Sequence, residues 1–232
     1  MHISNFYSVS PAGLQISREQ GSQFAKSVAG DFNPLHDADA KRFVVPGDLL
    51  FAILLTEFGA NESMKFQFSG MVNDEMQLTL QRDTDQMSVL HGEKVMTSAA
   101  IAGPSIQSAE FIKQLILAYV SFSGTTYPHI LVPVMRQAGV MINPARPMVM
   151  YQSMEIELNG SASGEISLRP SQHQFDVNGK RGDMYLNFDI LSGDEVIGRG
   201  SKHMLLSGLR AYDESAITAL TEEYDASKAS FA

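Results

Sequence analysis

Apolar and polar positions along this chain change period several times, and each change marks an element. After Ser17-Arg18-Glu19-Gln20, the residues Phe24, Ser27 and Val28 fall on one side of a helical repeat. Ser17 with Gln20 three residues on reads as a capping box, and Gly30 is a suitable stop. Pro46-Gly47 opens a second helix over 48–58, ended by Gly59. Its content (Leu49, Leu50, Phe51, Ile53, Leu54, Leu55) leaves almost no polar face, so it is expected to be buried all round. Period two then takes over in 64–68 and 76–81. Segments 87–90 and 95–101 flank a His91-Gly92-Glu93-Lys94 turn and predict a hairpin. A helix packed on an antiparallel sheet is the expected product.

Beyond Gly103-Pro104 the order of elements repeats. Phe111, Leu115, Ala118 and Tyr119 stand at helical spacing in 108–119. Tyr127-Pro128-His129 then enters the apolar stretch 130–138, ended by Gly139, as Pro46-Gly47 enters the helix ended by Gly59. Pro133 lies inside that stretch, so its helix is kinked or begins late. Strands are predicted at 149–158, 165–169, 172–177, 183–191 and 195–206, the later ones separated by Asn178-Gly179 and Ser192-Gly193-Asp194 turns. The tail 214–232 reads as a helix. These patterns divide the chain into two α+β modules, 1–104 and 105–232, the second ending in that tail. The alternative division is one such module followed by an unrelated α+β domain.

Composition narrows the function classes. The 232 residues suffice for one large domain or two of about 110 residues each. Hydrophobic residues make up 44% and charged ones 19%, which suits a packed core and not a disordered chain. Net charge is −9 and no stretch concentrates Lys and Arg, so neither nucleic acid nor an anionic membrane is expected as a partner. Cysteine is absent, which excludes disulfides, thiolate nucleophiles and cysteine-based zinc sites and fits a cytoplasmic protein. The start of the chain lacks a basic region followed by an apolar one, so no secretory signal is expected. The longest apolar runs, 49–55 and 115–120, are too short to span a bilayer. His91, His173 and His203 stand too far apart for a metal site visible in sequence, and the scattered glycines match no phosphate-binding pattern. No metal or cofactor is expected.

The candidate chemistry is concentrated in Gly30-Asp31-Phe32-Asn33-Pro34-Leu35-His36. A simple turn needs no carboxylate, amide and imidazole together, whereas Asp31 and His36 brought face to face can move protons to and from a bound substrate. The string also resembles the Gly-Asp-x-Asn-Pro-(aliphatic)-His signature of the MaoC-like (R)-specific enoyl-CoA hydratases, which have the hot-dog fold. That resemblance implies a double hot-dog, each module an antiparallel sheet wrapped around a central helix. It also implies a hydratase or dehydratase interconverting trans-2-enoyl and (R)-3-hydroxyacyl thioesters, carried on coenzyme A or an acyl-carrier protein. Asp31 and His36 would share base and acid roles, and Asn33 would hold the water or fix the imidazole. Gly47, at the start of the central helix, would offer a backbone N–H to the thioester oxygen, with Phe32 and Pro34 also against the substrate. A homodimer is compatible with this reading.

The chain departs from that pattern in two places. Pro46-Gly47 stands where the family has His-Gly, and only nine residues, 37–45, separate His36 from it, against about sixteen in the family. The second module has no copy of the motif: His129 stands at the matching helix entry, without an Asp or Asn before it at the right distance. A hot-dog that binds an acyl thioester or lipid-like ligand without turnover is therefore the main alternative. A thioesterase is the third reading, for which Asp48 and Glu57 are the only acids on or near the central helix. The ordinary role of Asp48 there is to stabilise the helix dipole, and that of Glu57 is to be solvated. Lys41-Arg42 is expected to be a solvated pair, and the thirteen methionines to fill the core.

Overall fold

The computed structural model describes residues 2–159, 162 and 164–231. In chain order its elements are a hairpin of β1 (Ser8–Ser10) and β2 (Gly13–Gln15), helix α1 (Arg18–Phe24) continued by a π turn (Ala25–Ala29), and helix α2 (Gly47–Phe58). Strands β3 (Ala60–Phe68), β4 (Thr79–Arg82), β5 (Gln86–His91) and β6 (Lys94–Ile106) follow. Next come helices α3 (Ala109–Gly124), α4 (Thr126–His129) and α5 (Leu131–Gln137). Then come β7 (Val140–Met141), β8 (Val149–Leu158), β9 (Ile166–Pro170), β10 (Gln174–Asn178), β11 (Arg181–Ser192), β12 (Glu195–Ser207) and β13 (Arg210–Ala211), and helix α6 (Glu214–Phe231) closes the chain.

Nine strands form one antiparallel sheet in the order β10-β11-β12-β8-β3-β6-β5-β4, with β9 also on the outer edge of β11. The seam is β3 against β8, from Ser63 opposite Glu157 to Gln67 opposite Ser153. Counted outward from that seam, both halves have the same order: a long final strand (β6 or β12), its hairpin partner (β5 or β11), then short outer strands (β4, or β9 and β10). This repeat of an antiparallel sheet curled around helix is the double hot-dog arrangement anticipated from sequence. Strand β6 runs on through Ile106, two residues past a boundary at 104.

Helix α2 is the central helix. Every residue from Leu49 to Leu55 is at most 2% exposed, as its unbroken apolar content requires. The main core joins α2 to the apolar stripe of α3 (Phe111, Ile112, Leu115, Ile116, Tyr119, Val120) and to strand residues of both halves, including Met64, Phe66, Met154, Ile156 and Phe188.

Here the structure differs from the expected parallel between 48–58 and 130–138. Helix α5 has seven residues and Pro133 lies in its first turn, so it begins late at Leu131. It lies in a smaller cluster with Met184, Leu186, Met204, Leu206 and Ile217. Helix α3, with sixteen residues, is long enough to share the main core with α2. The β1–β2 hairpin was not visible as alternation, because β1 is exposed throughout and each strand has three residues. The expected tail helix forms as α6 over its described residues, and residue 232 lies outside them.

Candidate active site

The Asp31–His36 loop is positioned by the helix before it and the segment after it. The predicted capping box is formed: the Ser17 hydroxyl accepts from the Gln20 N–H, and the Gln20 side chain accepts from the Ser17 N–H at 3.0 Å. At the other end Gly30 adopts φ 68°, left-handed backbone open to glycine at no steric cost, and the Asp31 N–H donates to the Ala25 carbonyl at 2.8 Å.

Two Asx turns then shape the loop. Asp31 Oδ1 accepts from the Asn33 N–H at 2.9 Å, and Asn33 Oδ1 accepts from the Leu35 N–H at 3.1 Å. Pro34–His36 form a single 3₁₀ turn. The Asn33 oxygen is thus committed to the loop backbone, and the imidazole is fixed by another group. His36 Nδ1 lies 2.7 Å from the Val44 carbonyl, which can only accept, so Nδ1 carries the proton and Nε2 is left toward Asp31.

His36 Nε2 and Asp31 Oδ2 are 3.6 Å apart, with side chains 13% and 27% exposed. That separation is too long for a hydrogen bond, so each group keeps capacity for a proton-bearing atom placed between them. The nine-residue segment 37–45 is held in place: Arg18 donates to the Ala38 and Ala40 carbonyls, Lys26 pairs with Asp37 at 2.7 Å, and Phe43 and Val45 are buried. Lys41 and Arg42 are exposed.

Phe32 faces away from this chemistry. It is 5% exposed and sits edge-on to Tyr224 and Phe231 of α6, while the Tyr224 hydroxyl donates to the Gly30 carbonyl at 3.1 Å. At Gly47 a Cβ would come within 3.1 Å of the Tyr151 ring and 3.2 Å of the Phe68 ring. Its bareness therefore makes room for the Phe68–Tyr151 ring pair that spans the β3–β8 seam.

Next to Gly47 stands Asp48, which the sequence offered as a thioesterase acid or a partner of the helix dipole, without its surroundings. It lies in the first turn of α2, is 6% exposed, and its Oδ2 accepts from the Ser123 hydroxyl at 2.5 Å. Lys202, also 6% exposed, donates from Nζ to the same Ser123 oxygen and lies 4.2 Å from the centre of the Tyr151 ring. The Tyr119 and Tyr151 hydroxyls are hydrogen-bonded to each other beside it.

Burial pushes the Asp48 carboxyl above the usual carboxylate range, against the pull of Lys202 and the Ser123 hydrogen bond; Asp31 adds to the rise and His36 offsets it. Burial, and then the Asp48 charge, hold the Tyr119 phenol well above its ordinary range. The second Asp48 oxygen, Oδ1, is buried without a hydrogen-bond partner among the described residues, a state that costs about 1–3 kcal/mol in a folded protein. No local pattern points to this cluster, since Ser123 is 75 residues from Asp48 and Lys202 a further 79 from Ser123. The one available hint was an acid in the first turn of an otherwise apolar helix.

The remaining candidates are structural in place. Glu57 is exposed and accepts from the Tyr7 hydroxyl at 2.6 Å. His91 bonds the Gln77 carbonyl, His203 bonds Asp183 and stacks on Tyr185, and His129 is exposed. Among the described residues no three His, Asp or Glu side chains gather as a metal site, and no helix is long and apolar enough to cross a membrane. Two clefts of about 360 and 350 Å³ are lined by other residues, the first by Arg18 and Asp74 among others, the second by Phe122 and Leu168 among others.

Comparison with solved structures returns proteins of low identity and modest structural overlap. A hot-dog protein of unknown function from Alicyclobacillus acidocaldarius is 8% identical at a TM-score of 0.46, over 89% of this chain and 98% of that one. An acyl-CoA thioesterase II from Mycobacterium marinum is 9% identical at 0.41, over 72% and 90%. The CurJ dehydratase is 11% identical at 0.40, over 87% and 95%. No curated protein matches the chain. A family described as "Protein of unknown function (DUF3581)" matches residues 1–215.

Proposed function

We propose that this chain, which belongs to the DUF3581 family, is a hydratase or dehydratase of acyl thioesters. The observation that carries the reading is the facing pair of His36 Nε2 and Asp31 Oδ2, 3.6 Å apart, with the imidazole tautomer fixed by Val44. A water between them gives up a proton to one partner as its oxygen adds to the β-carbon of a trans-2-enoyl thioester. A proton is delivered to the α-carbon as the enolate collapses, which yields the (R)-3-hydroxyacyl form, and dehydration runs the same steps backward. The resemblance of the Gly30–His36 string to the MaoC-like signature supports this reaction over others open to an Asp–His pair. The acyl group is carried on coenzyme A or on an acyl-carrier protein.

The test follows the enoyl absorbance of crotonyl-CoA, and of longer enoyl and carrier-protein thioesters, with wild type, Asp31→Asn and His36→Ala. Activity in the wild type and its loss in both variants is expected. A wild type that hydrates none of these thioesters, on either carrier, overturns the hydratase reading and favours a hot-dog that binds the acyl thioester without hydrating it.

A further inference from the structure

The two clefts differ in character. In the one beside Arg18 the polar side chains are paired with each other, Arg18 with Asp74 and Ser17 with Glu19. The other, about 350 Å³, lies between α3 and strand β9 and has apolar walls. Ala118, Ser121, Phe122 and Thr125 line it from α3 and its C-terminal cap, at the i, i+3, i+4 and i+7 positions of one helix face. Ile166 and Leu168 face them from β9. Phe122 is held by Phe188, with ring centres 5.1 Å apart, so this wall is fixed from behind. One turn before Ala118 the Ile166 N–H donates to the Gln114 side chain at 2.8 Å, which ties strand to helix at the end remote from Thr125. The Thr125 end meets the candidate active site. The Thr125 hydroxyl is committed to the Ser121 carbonyl at 2.8 Å, and its methyl lies 3.8 Å from where a Cβ of Gly30 would stand, with Asp31 next in the chain. Gly124 is pressed against the Ala29 carbonyl, so groove and loop keep a set relation to each other.

We infer that this groove between α3 and β9 binds the acyl tail of a medium-chain thioester whose reacting carbons lie at the Asp31–His36 loop; the substrate class rests on that reading. The lining from Ala118 to Thr125 runs about 10 Å along the helix, a length that the tail of a decanoyl chain fills once its first carbons are placed at the loop. Each methylene laid on Phe122, Ile166 and Leu168 leaves water for an apolar wall. Ser121 and Ser167 are exposed at the rim, so their hydroxyls stay solvated while the chain is covered. The groove therefore sets chain-length preference, and the loop sets the reaction.

Saturated acyl-CoAs cannot be hydrated, so their binding reads the groove whether or not the loop turns a substrate over. Isothermal titration calorimetry of the wild type with acetyl-, hexanoyl- and decanoyl-CoA is expected to show affinity rising at least about tenfold from hexanoyl to decanoyl. Ser121→Phe and Ser167→Phe bring a ring into the groove from exposed positions on its two walls. Each should remove most of that gain, and each should lower kcat/KM for trans-2-decenoyl-CoA relative to crotonyl-CoA by about tenfold or more. A wild type that binds the tail but hydrates no enoyl thioester would sink the hydratase reading and leave the groove standing. Equal affinity for all three acyl-CoAs in the wild type overturns the inference, and so does a chain-length gain undiminished in both folded variants. So does a wild-type dimer in sedimentation that Ser121→Phe breaks and that no acyl chain displaces, because the groove then belongs to a second copy. The first readout uses the wild type, so a variant that fails to fold does not remove the test.

Discussion

The two polar groupings of this protein are built in opposite ways. The Asp31–His36 pair is local: six consecutive residues, two Asx turns and one carbonyl of the following segment set its geometry, and both side chains reach solvent. The Asp48–Ser123–Lys202 cluster is assembled from the start of α2, the end of α3 and the middle of β12, and all three side chains are buried. A local, half-open pair changes its chemistry with little effect on folding. A buried cluster assembled across the seam is tied to the stability of the whole, so substitutions in it register first as stability.

The largest effect is therefore expected at Lys202. Lys202→Met keeps the bulk of the side chain and leaves the Asp48 charge without its cation, a change that costs about 3–5 kcal/mol in other buried pairs. The sign with pH follows from the raised Asp48 pKa. A carboxyl whose folded pKa lies above its unfolded one favours the fold below the unfolded value, and that contribution is lost as pH rises through the folded pKa. Removing Lys202 raises the folded pKa further, so urea denaturation should show the deficit greatest at neutral pH and shrinking in acid. A deficit of the same size at every pH would mean that Lys202 acts by packing alone. His36→Ala is the opposite case. Enoyl hydration should fall by roughly 10²–10⁴-fold, while stability falls by about 1 kcal/mol for the lost bond to Val44.

This contrast also explains how much could be read from sequence. The capping box at Ser17, the stop at Gly30, the buried helix after Pro46 and most strands were legible because each is written in residues close together in the chain. The Asp31–His36 pair was legible for the same reason. Its anchoring to Val44 was not, since a carbonyl carries no sequence signature. The partnership of α2 with α3 was hidden because helical spacing shows that a face is apolar and not what it meets. The surroundings of Asp48 were hidden because an acid in a helix's first turn has an ordinary explanation, and only the fold brings Ser123 and Lys202 to it.

A smaller effect tests how the two groupings are joined. Alanine is favoured over glycine inside a helix by about 1 kcal/mol. Even so, Gly124→Ala is expected to lose roughly 1–3 kcal/mol, because its Cβ would press on the Ala29 carbonyl and force α3 and the π turn apart. Hydration should suffer as well, since the contact seats the π turn that leads into the Asp31–His36 loop. A stabilised variant with unchanged chemistry would show that the contact is slack.

The smallest effect is expected at the outer end of the comparison, where α6 rests on the loop. Tyr224→Phe keeps the edge-on contact with Phe32 and removes only the hydroxyl bond to the Gly30 carbonyl, a loss of about 0.5–1.5 kcal/mol. Burial, with the Asp31 charge second, holds the Tyr224 phenol up to about 12, so it remains a neutral donor throughout the ordinary working range. Because its folded pKa lies above the unfolded one, the contribution is complete below the usual tyrosine value of about 10 and is lost only above it. The gap between wild type and variant should thus be constant from acid to mildly alkaline pH, unlike the Lys202 deficit. Hydrogen exchange should quicken at the Asn33 and Leu35 amides, whose Asx turns depend on the loop staying seated, and not at the amides around Asp48. Equal quickening at both places would mean that loop and cluster open together, and that the local pair is no more independent of the fold than the buried one.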